Sequence, residues 1–358
     1  MASFKDEYIY RVSLALTAGV GAGAVIASSE TVGSMGPAAV CIAAVVLMTV
    51  LAAAMLSISG TSRRNSPLLW TVLFFLLGLF CYSNRSVIST TVTERERLRG
   101  AGDALTEAIE SIPFRDCNSN ALILALLKGD RSRLDRQTVS DFRNAGAAHM
   151  LALSGMHLGI IYLILSRLLF FLGNTPPARK TRYVLITLLT LLYTLMCGTG
   201  ASLVRAWLFI FLDCLSKLLE RPQPPGQIYC VALLLHLVAR PDSICEIGFQ
   251  LSYLAMAGIV FIWPVLRTWM SSRIWDAMAL SISCQMFIAP LTLLYFGTFP
   301  KYFLITNLVA APLMSVVMAA GIAATAASSV GLDCPLLYSL CEKPVTLLCG
   351  LLGNIASM

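Results

Sequence analysis

The chain is poor in charge: Asp, Glu, Lys and Arg make up 13% of its 358 residues, where a soluble domain carries about 25%. With 57% hydrophobic residues and a mean hydropathy of +0.78, it is too apolar for a water-soluble globular protein. It has only three histidines and neither an H-x-H nor an H-E-x-x-H pattern, which excludes a metallo-β-lactamase-type nuclease and a zincin. No G-x-x-x-x-G-K-[ST] loop is present, so the chain is not its own ATP motor. The eleven cysteines show no CxxC spacing and mostly fall inside apolar runs (Cys41, Cys81, Cys197, Cys214, Cys284) as small packing residues. The sequence therefore indicates no metal, cofactor or disulfide framework, and no nuclease or ATPase activity. The first apolar run lacks a small-residue cleavage site, so it reads as a retained helix.

What is present is a succession of apolar runs. A bilayer core needs about 20 apolar residues per helix. Candidate spans lie at 10–29, 37–59, 67–83, 149–173, 182–197, 201–219, 228–239, 245–266, 278–297 and 302–330. A last run, 335–358, contains Glu342, Lys343 and Pro344 and is expected to be broken or incomplete. The fold class is all-α: a polytopic integral membrane protein of roughly 10–11 transmembrane helices with room for re-entrant half-helices. Basic residues orient it. With Lys5 and Arg11 in the cytoplasm, the inside loops also hold Arg63, Arg64, Arg179, Lys180, Arg182, Lys217, Arg221, Arg267 and Arg273. The opposite short loops hold only Arg240 and Lys301. That alternation accounts for the net +7 without invoking nucleic acid, and it puts the long polar segment 84–148 outside.

The expected organisation is 1–83, N-terminal transmembrane helices; 84–120, an extracytoplasmic amphipathic linker; and 121–358, the main transmembrane domain. "TERERLRGAGDALTEAIESI" places Leu98, Leu105, Ala108 and Ile109 at helical spacing and reads as an amphipathic helix at the outer surface. "ALILALLKGD" is apolar but too short to span, and reads as a buried or re-entrant half-helix ending at Gly129. "RSRLDRQTVSDFRNAGAA" then forms a polar helix, and "ERPQPPGQ" is a linker.

Polar groups at membrane depth cost free energy unless paired or wetted, so their positions carry the information. In "HMLALSGMHL", His149, Ser154 and His157 lie near one face of a continuous helix, with Gly155 allowing close helix approach or a break. In a break, freed backbone N–H groups can meet an anion. Three readings stay open: a serine nucleophile with a histidine base, a two-histidine metal site short of the usual three ligands, or a polar lining or packing seam. Arg205 and Asp213 share a helix face, and Arg205 reads either as a phosphate ligand or as a snorkelling interface residue. Glu246, Gln250 and Ser252 enter one span, and Gln285 and Asn307 enter others. Together these residues outline a polar interior spread over several helices, which suits a conduit better than one catalytic centre. His236, in an apolar span, reads as packing.

"LLKGDRSRLDRQTVSDFRNAGAAHMLALSGMHLGII" resembles the signature of the ComEC family, inner-membrane DNA-uptake proteins of bacterial competence. The matching positions are Gly129, Asp130, Arg131, Gly146, His149, Leu151, Ala152, Ser154, Gly155, His157 and Gly159. "RPDSICEIGFQLSYLAMAGI" and "LYFGTFPKYFLITNLVAAPL" are similar to two further family motifs in the same order. The resemblance implies a channel in the cell inner (cytoplasmic) membrane that carries one strand of transforming DNA. On it, His149, Ser154 and His157 belong to the functional core at the outer mouth, with Arg143 nearby. Arg205 and polar side chains would line the path, and Trp207, Phe249 and Tyr253 would stack bases. Expected partners are single-stranded DNA, membrane lipid, a periplasmic DNA receptor, a separate nuclease and a cytoplasmic DNA translocase, with a homo-oligomer left open. Fuller members carry an OB-like domain, for which the stretch between Ser83 and Ala121 is too short, and a metallo-β-lactamase-like domain, so only the channel core is expected here. The rivals are an intramembrane serine hydrolase using Ser154 and His157, and a small-solute transporter.

Overall fold

The computed structural model describes residues 4–28, 66–83, 99–114, 117–197, 200–297, 302–331 and 335–357. Among them there is no strand; they form helices joined by turns and short non-helical connections. The helices are α1 (Phe4–Ser28), α2 (Ser66–Ser83), α3 (Arg99–Glu110), α4 (Cys117–Lys128), α5 (Arg136–Asn144), α6 (Gly155–Leu168, continued by a 3₁₀ turn Leu169–Leu172) and α7 (Pro176–Met196). They continue as α8 (Ala201–Leu218), α9 (Pro225–Ala239), α10 (Ile247–Leu266), α11 (Arg273–Phe296), α12 (Phe303–Ser329) and α13 (Pro335–Ala356). Four stretches, Gly155–Leu172, α10, α11 and α12, are each long and apolar enough to cross a membrane; Ile9–Ala24, Thr71–Tyr82 and Pro225–Ala239 are shorter apolar helices. The protein is an all-α polytopic membrane protein. The expected span 37–59, and Arg63 and Arg64 after it, lie outside the described residues.

The chain forms two compact units: Met1–Thr93 with Gln223–Tyr253, and Glu94–Pro222 with Leu254–Met358. In the first, α1 and α2 cross so closely that a methyl on Gly19 would collide with the Phe75 carbonyl, and one on Gly78 with the Leu16 carbonyl. Glycine pairs of this kind let two backbones touch where lipid offers no hydrophobic drive for association. α9 packs on α1, with Ser13 Oγ donating to the Cys230 carbonyl at 3.4 Å. His236 is edge-on to Phe249 at 5.0 Å and 3.3 Å from the Tyr253 hydroxyl through Nδ1. That aromatic cluster is the packing role the sequence suggested.

The second unit is built around α4. Residues 121–127 of this helix are all buried, and a helix apolar all round has no stable place except inside a core. It is enclosed by Phe142 of α5, Ile160 and Ile161 of α6, Met314, Val317 and Met318 of α12, and Cys341, Val345, Leu348 and Leu352 of α13. Those last four recur on one face of α13, while Lys343 is exposed. α13 is therefore one continuous helix through Pro344, not the broken segment expected from its charges. α3 departs from expectation in a related way. Its apolar face is not left to meet lipid but enters this core through Leu105 and buried Ile109.

The expected measurement on the first unit is direct. Gly19→Leu or Gly78→Leu forces overpacking that typically costs about 1–3 kcal/mol, and should lower the thermal midpoint of the detergent-solubilised protein, whereas Gly350→Ala, where a side chain meets open space inside a helix, should not lower it.

Candidate functional site: the Gly129–Gly159 junction

The expected continuous helix over 149–158 does not exist. After α5 the chain turns at Gly146 (φ 77°), makes one 3₁₀ turn over Ala148–Met150, and runs non-helically until α6 starts at Gly155. His149, Ser154 and His157 therefore do not share a helix face. Of the two options Gly155 allowed, the break is realised, and close approach accompanies it: a Cβ on Gly155 would lie 3.3 Å from the Ala206 methyl of α8.

Side chains from distant segments hold this break. Gly129 ends α4 at φ 82°, a conformation that penalises any side chain, and a Cβ there would meet Leu153 at 2.6 Å. Asp130 Oδ1 accepts from the Ser132 N–H (3.0 Å) and hydroxyl (2.7 Å), and these bonds hold its carboxyl below the usual carboxylate range. Arg131 Nε donates to the Leu151 carbonyl at 2.8 Å, and Thr306 of α12 donates to the Ala145 carbonyl at 2.6 Å. Both clamps satisfy carbonyls that no helix could serve. At the end of α4, the Leu127 carbonyl accepts from Tyr193 Oη (2.6 Å) and Cys197 Sγ (3.2 Å).

The start of α6 is closed by its own side chains. Ser154 is the N-cap, and its backbone N–H donates to His157 Nδ1 at 3.2 Å, with the Ser154 hydroxyl 3.0 Å from the same nitrogen. His157 thus occupies the N3 position where Glu or Gln usually completes a capping box. Because Nδ1 accepts from an N–H, the imidazole is neutral with its proton on Nε2. The ring is 0% exposed, and Nε2 has no partner of hydrogen-bonding geometry, with the Met150 carbonyl the backbone group facing the ring. The Ser154 N–H that a break was expected to free for an anion is therefore spent on the imidazole.

The remaining candidates separate. His149 is exposed. Desolvation pushes its pKa below the ordinary value, only partly offset by the Gly146 backbone. Arg143 is exposed on α5, and Arg205 is buried (3%) on α8, one residue from the Gly155 contact. Asp213 pairs with Lys217 one turn along its own helix at 2.5 Å. Asn307 of α12 follows the Thr306 clamp, and its Oδ1 is buried without a hydrogen-bond partner. Glu246, Gln250 and Ser252 belong to the other unit. Glu246 precedes α10, is exposed and lies 3.9 Å from Arg240, while Gln250 Nε2 donates to the Ile244 carbonyl at 2.8 Å. The expected stacking aromatics are engaged elsewhere: Trp207 stacks on Phe211 and donates to the Thr187 carbonyl, and Phe249 and Tyr253 are each 4% exposed. Arg131 matched a motif without a role, and Thr306 carried no sequence signal; both are clamps. Among the described residues no cluster of His, Cys, Asp or Glu could hold a metal.

The two junction histidines should behave oppositely toward carbethoxylation followed by peptide mass spectrometry. His149 should react with a pH midpoint below the ordinary value of about 6.5, and His157 should stay unmodified until the protein unfolds. The sign for stability follows: the unfolded chain takes up the His149 proton first as pH falls, so this group withdraws stability below its ordinary pKa.

A family model described as "Competence protein" matches residues 126–358. The chain is 25% identical to ComE operon protein 3 of Bacillus subtilis over 182 residues, which is 51% of this chain and 23% of that protein. It is 37% identical to an uncharacterized protein of Aquifex aeolicus over 90 residues, 24% of this chain and 22% of that one. The matched stretches thus span less than a quarter of the length of these curated relatives. No solved structure matches. The family match takes in the whole Gly129–Gly159 junction, both of its clamps and the helices that enclose α4, and on that ground the chain belongs to the competence protein family, of the ComEC type.

Proposed function

We propose that this chain is the membrane core of a conduit that carries single-stranded transforming DNA across the cytoplasmic membrane, with its N-terminus inside. The observation that carries the reading is the family match over 126–358, which takes in a helix break whose carbonyls are held by Arg131 and Thr306. A strand bears one charge per nucleotide and needs a polar, wetted path, because bare charge at membrane depth is prohibitive. Irregular backbone at membrane depth is tolerated only where it is buried in protein or lines a water-filled cavity. Accessible His149 and exposed Arg143 supply polar groups at that junction, and Arg205 lies buried beside it. Sparse cationic charge suits transport, since conduction needs contacts weak enough to release. With no motor motif in the sequence, a cytoplasmic translocase pulls the strand; a periplasmic receptor and a separate nuclease supply capture and strand degradation.

The hydrolase reading has one observation in its favour, the 3.0 Å approach of the Ser154 hydroxyl to His157 Nδ1. The same nitrogen also accepts from the Ser154 backbone, and no carboxylate orients the ring through Nε2. Both features fit a cap better than a nucleophile and base.

Uptake of labelled DNA into the cytoplasm, at equal membrane levels of protein, separates these readings. His157→Ala removes the N3 half of the capping box and should lower uptake severalfold, while His157→Gln, which can complete a capping box, should restore most of it. Loss in both variants would instead demand imidazole chemistry. Normal import by His157→Ala would remove the junction from the function altogether. Independently, Arg205→Ala should reduce import; full import by that variant would count against a conduit that uses this arginine.

A further inference from the structure

Three of the five tryptophans lie within fourteen residues, at the tip of the hairpin between α10 and α11. The hairpin is tightly built. Gly258 opens a π-helical turn, Gly258–Ile262, and a methyl there would collide with the Ser283 carbonyl, so the two helices touch backbone to backbone. At the tip, Trp263 Nε1 donates to Asp276 Oδ1 at 3.0 Å and Trp275 Nε1 donates to the Leu266 carbonyl at 2.8 Å. Arg267 lies 4.6 Å over the Trp263 ring and 3.8 Å from Asp276. Trp269 stacks on Trp275 with ring centroids 6.4 Å apart. This clasp fixes three indoles, and it leaves Trp269 67%, Met270 60% and Ile274 62% exposed.

Both helices leading into the tip are long and apolar enough to cross a membrane, so the connection between them has to lie at a membrane–water boundary. Indoles with an apolar body and one polar edge concentrate at that depth. The exposed side chains at the tip are of the kind that enter the headgroup layer; Trp269 and Met270 stand between Arg267 and Arg273, Ile274 follows Arg273, and Asp276 is the single acid of 263–276. An anionic leaflet attracts such basic residues.

The geometry points to the 263–276 tip as an interfacial anchor that seats Trp269, Met270 and Ile274 in the headgroup layer of an anionic leaflet, with Arg267 and Arg273 facing lipid phosphates. It rests on the membrane fold alone and stands or falls separately from DNA transport. Its consequence is mechanical: α10 and α11 are pinned at one depth, and other helices would have to move against them.

The test uses the full chain in nanodiscs, comparing wild type with Trp269→Ser, an exposed site whose loss leaves both indole N–H bonds of the clasp intact. The emission difference reports the Trp269 ring. It should be quenched more by phospholipid brominated near the headgroup than by lipid brominated near the chain end. Spin-labelled phosphatidylglycerol should quench it more than spin-labelled phosphatidylcholine, and an Arg267→Gln/Arg273→Gln protein should lose that preference. Equal quenching by both labelled headgroups in wild type overturns the anionic assignment. Absence of bromine quenching overturns the anchor, and quenching by oligothymidylate in its place would make the tip a base-stacking surface.

Discussion

The second unit depends on one constraint: the 121–127 run of α4 is apolar on every side and too short to cross a bilayer. Neither lipid nor water can accommodate it at both ends, so it must be enclosed by protein. α5, α6, α12 and α13 supply that enclosure. Its terminal polar groups must also be satisfied away from water, which is why Tyr193 and Cys197 converge on the Leu127 carbonyl. Gly129 then turns the chain at a φ of 82°, Asp130 and Ser132 bond to each other, and Arg131 binds the turn to the junction.

That junction is an ordered interruption. Between α5 and α6 the backbone leaves helical geometry for several residues inside a membrane protein, where unpaired carbonyls are expensive. Arg131 and Thr306 each take one of them from a distant segment. The histidine at the N3 position of α6 takes the Ser154 N–H that would otherwise be orphaned. A polar pair that suggests catalysis by residue type is thereby accounted for as the closure of a helix end. The residue left accessible is His149, whose desolvation favours its neutral form.

The polar residues within the apolar helices fall into different physical roles once placed. Gln250 ties the start of α10 to the preceding turn, Asp213 neutralises Lys217 on its own helix, and Thr306 clamps a carbonyl. Asn307 retains a buried, unpartnered oxygen. Polar groups in a membrane core are costly, but cost alone does not separate structural pairing from a transport path.

The sequence by itself determined the all-α membrane class, because composition and run length leave no other way to satisfy the backbone in lipid. It determined the positions of most described helices, since each apolar run between polar or proline-rich breaks is bounded by its own chemistry. The three ordered motifs also carried the family, and the shortness of the ALILALLKGD run implied burial. Only the tertiary structure decided that α13 runs unbroken, because its charges lie off the face that meets the core, and that α3 turns its apolar face into protein. It alone divided Glu246, Gln250 and Ser252 from His149, Ser154 and His157. Helical spacing assumes an unbroken helix, and the break before Gly155 is held by Arg131 and Thr306 from segments whose contact no local pattern records.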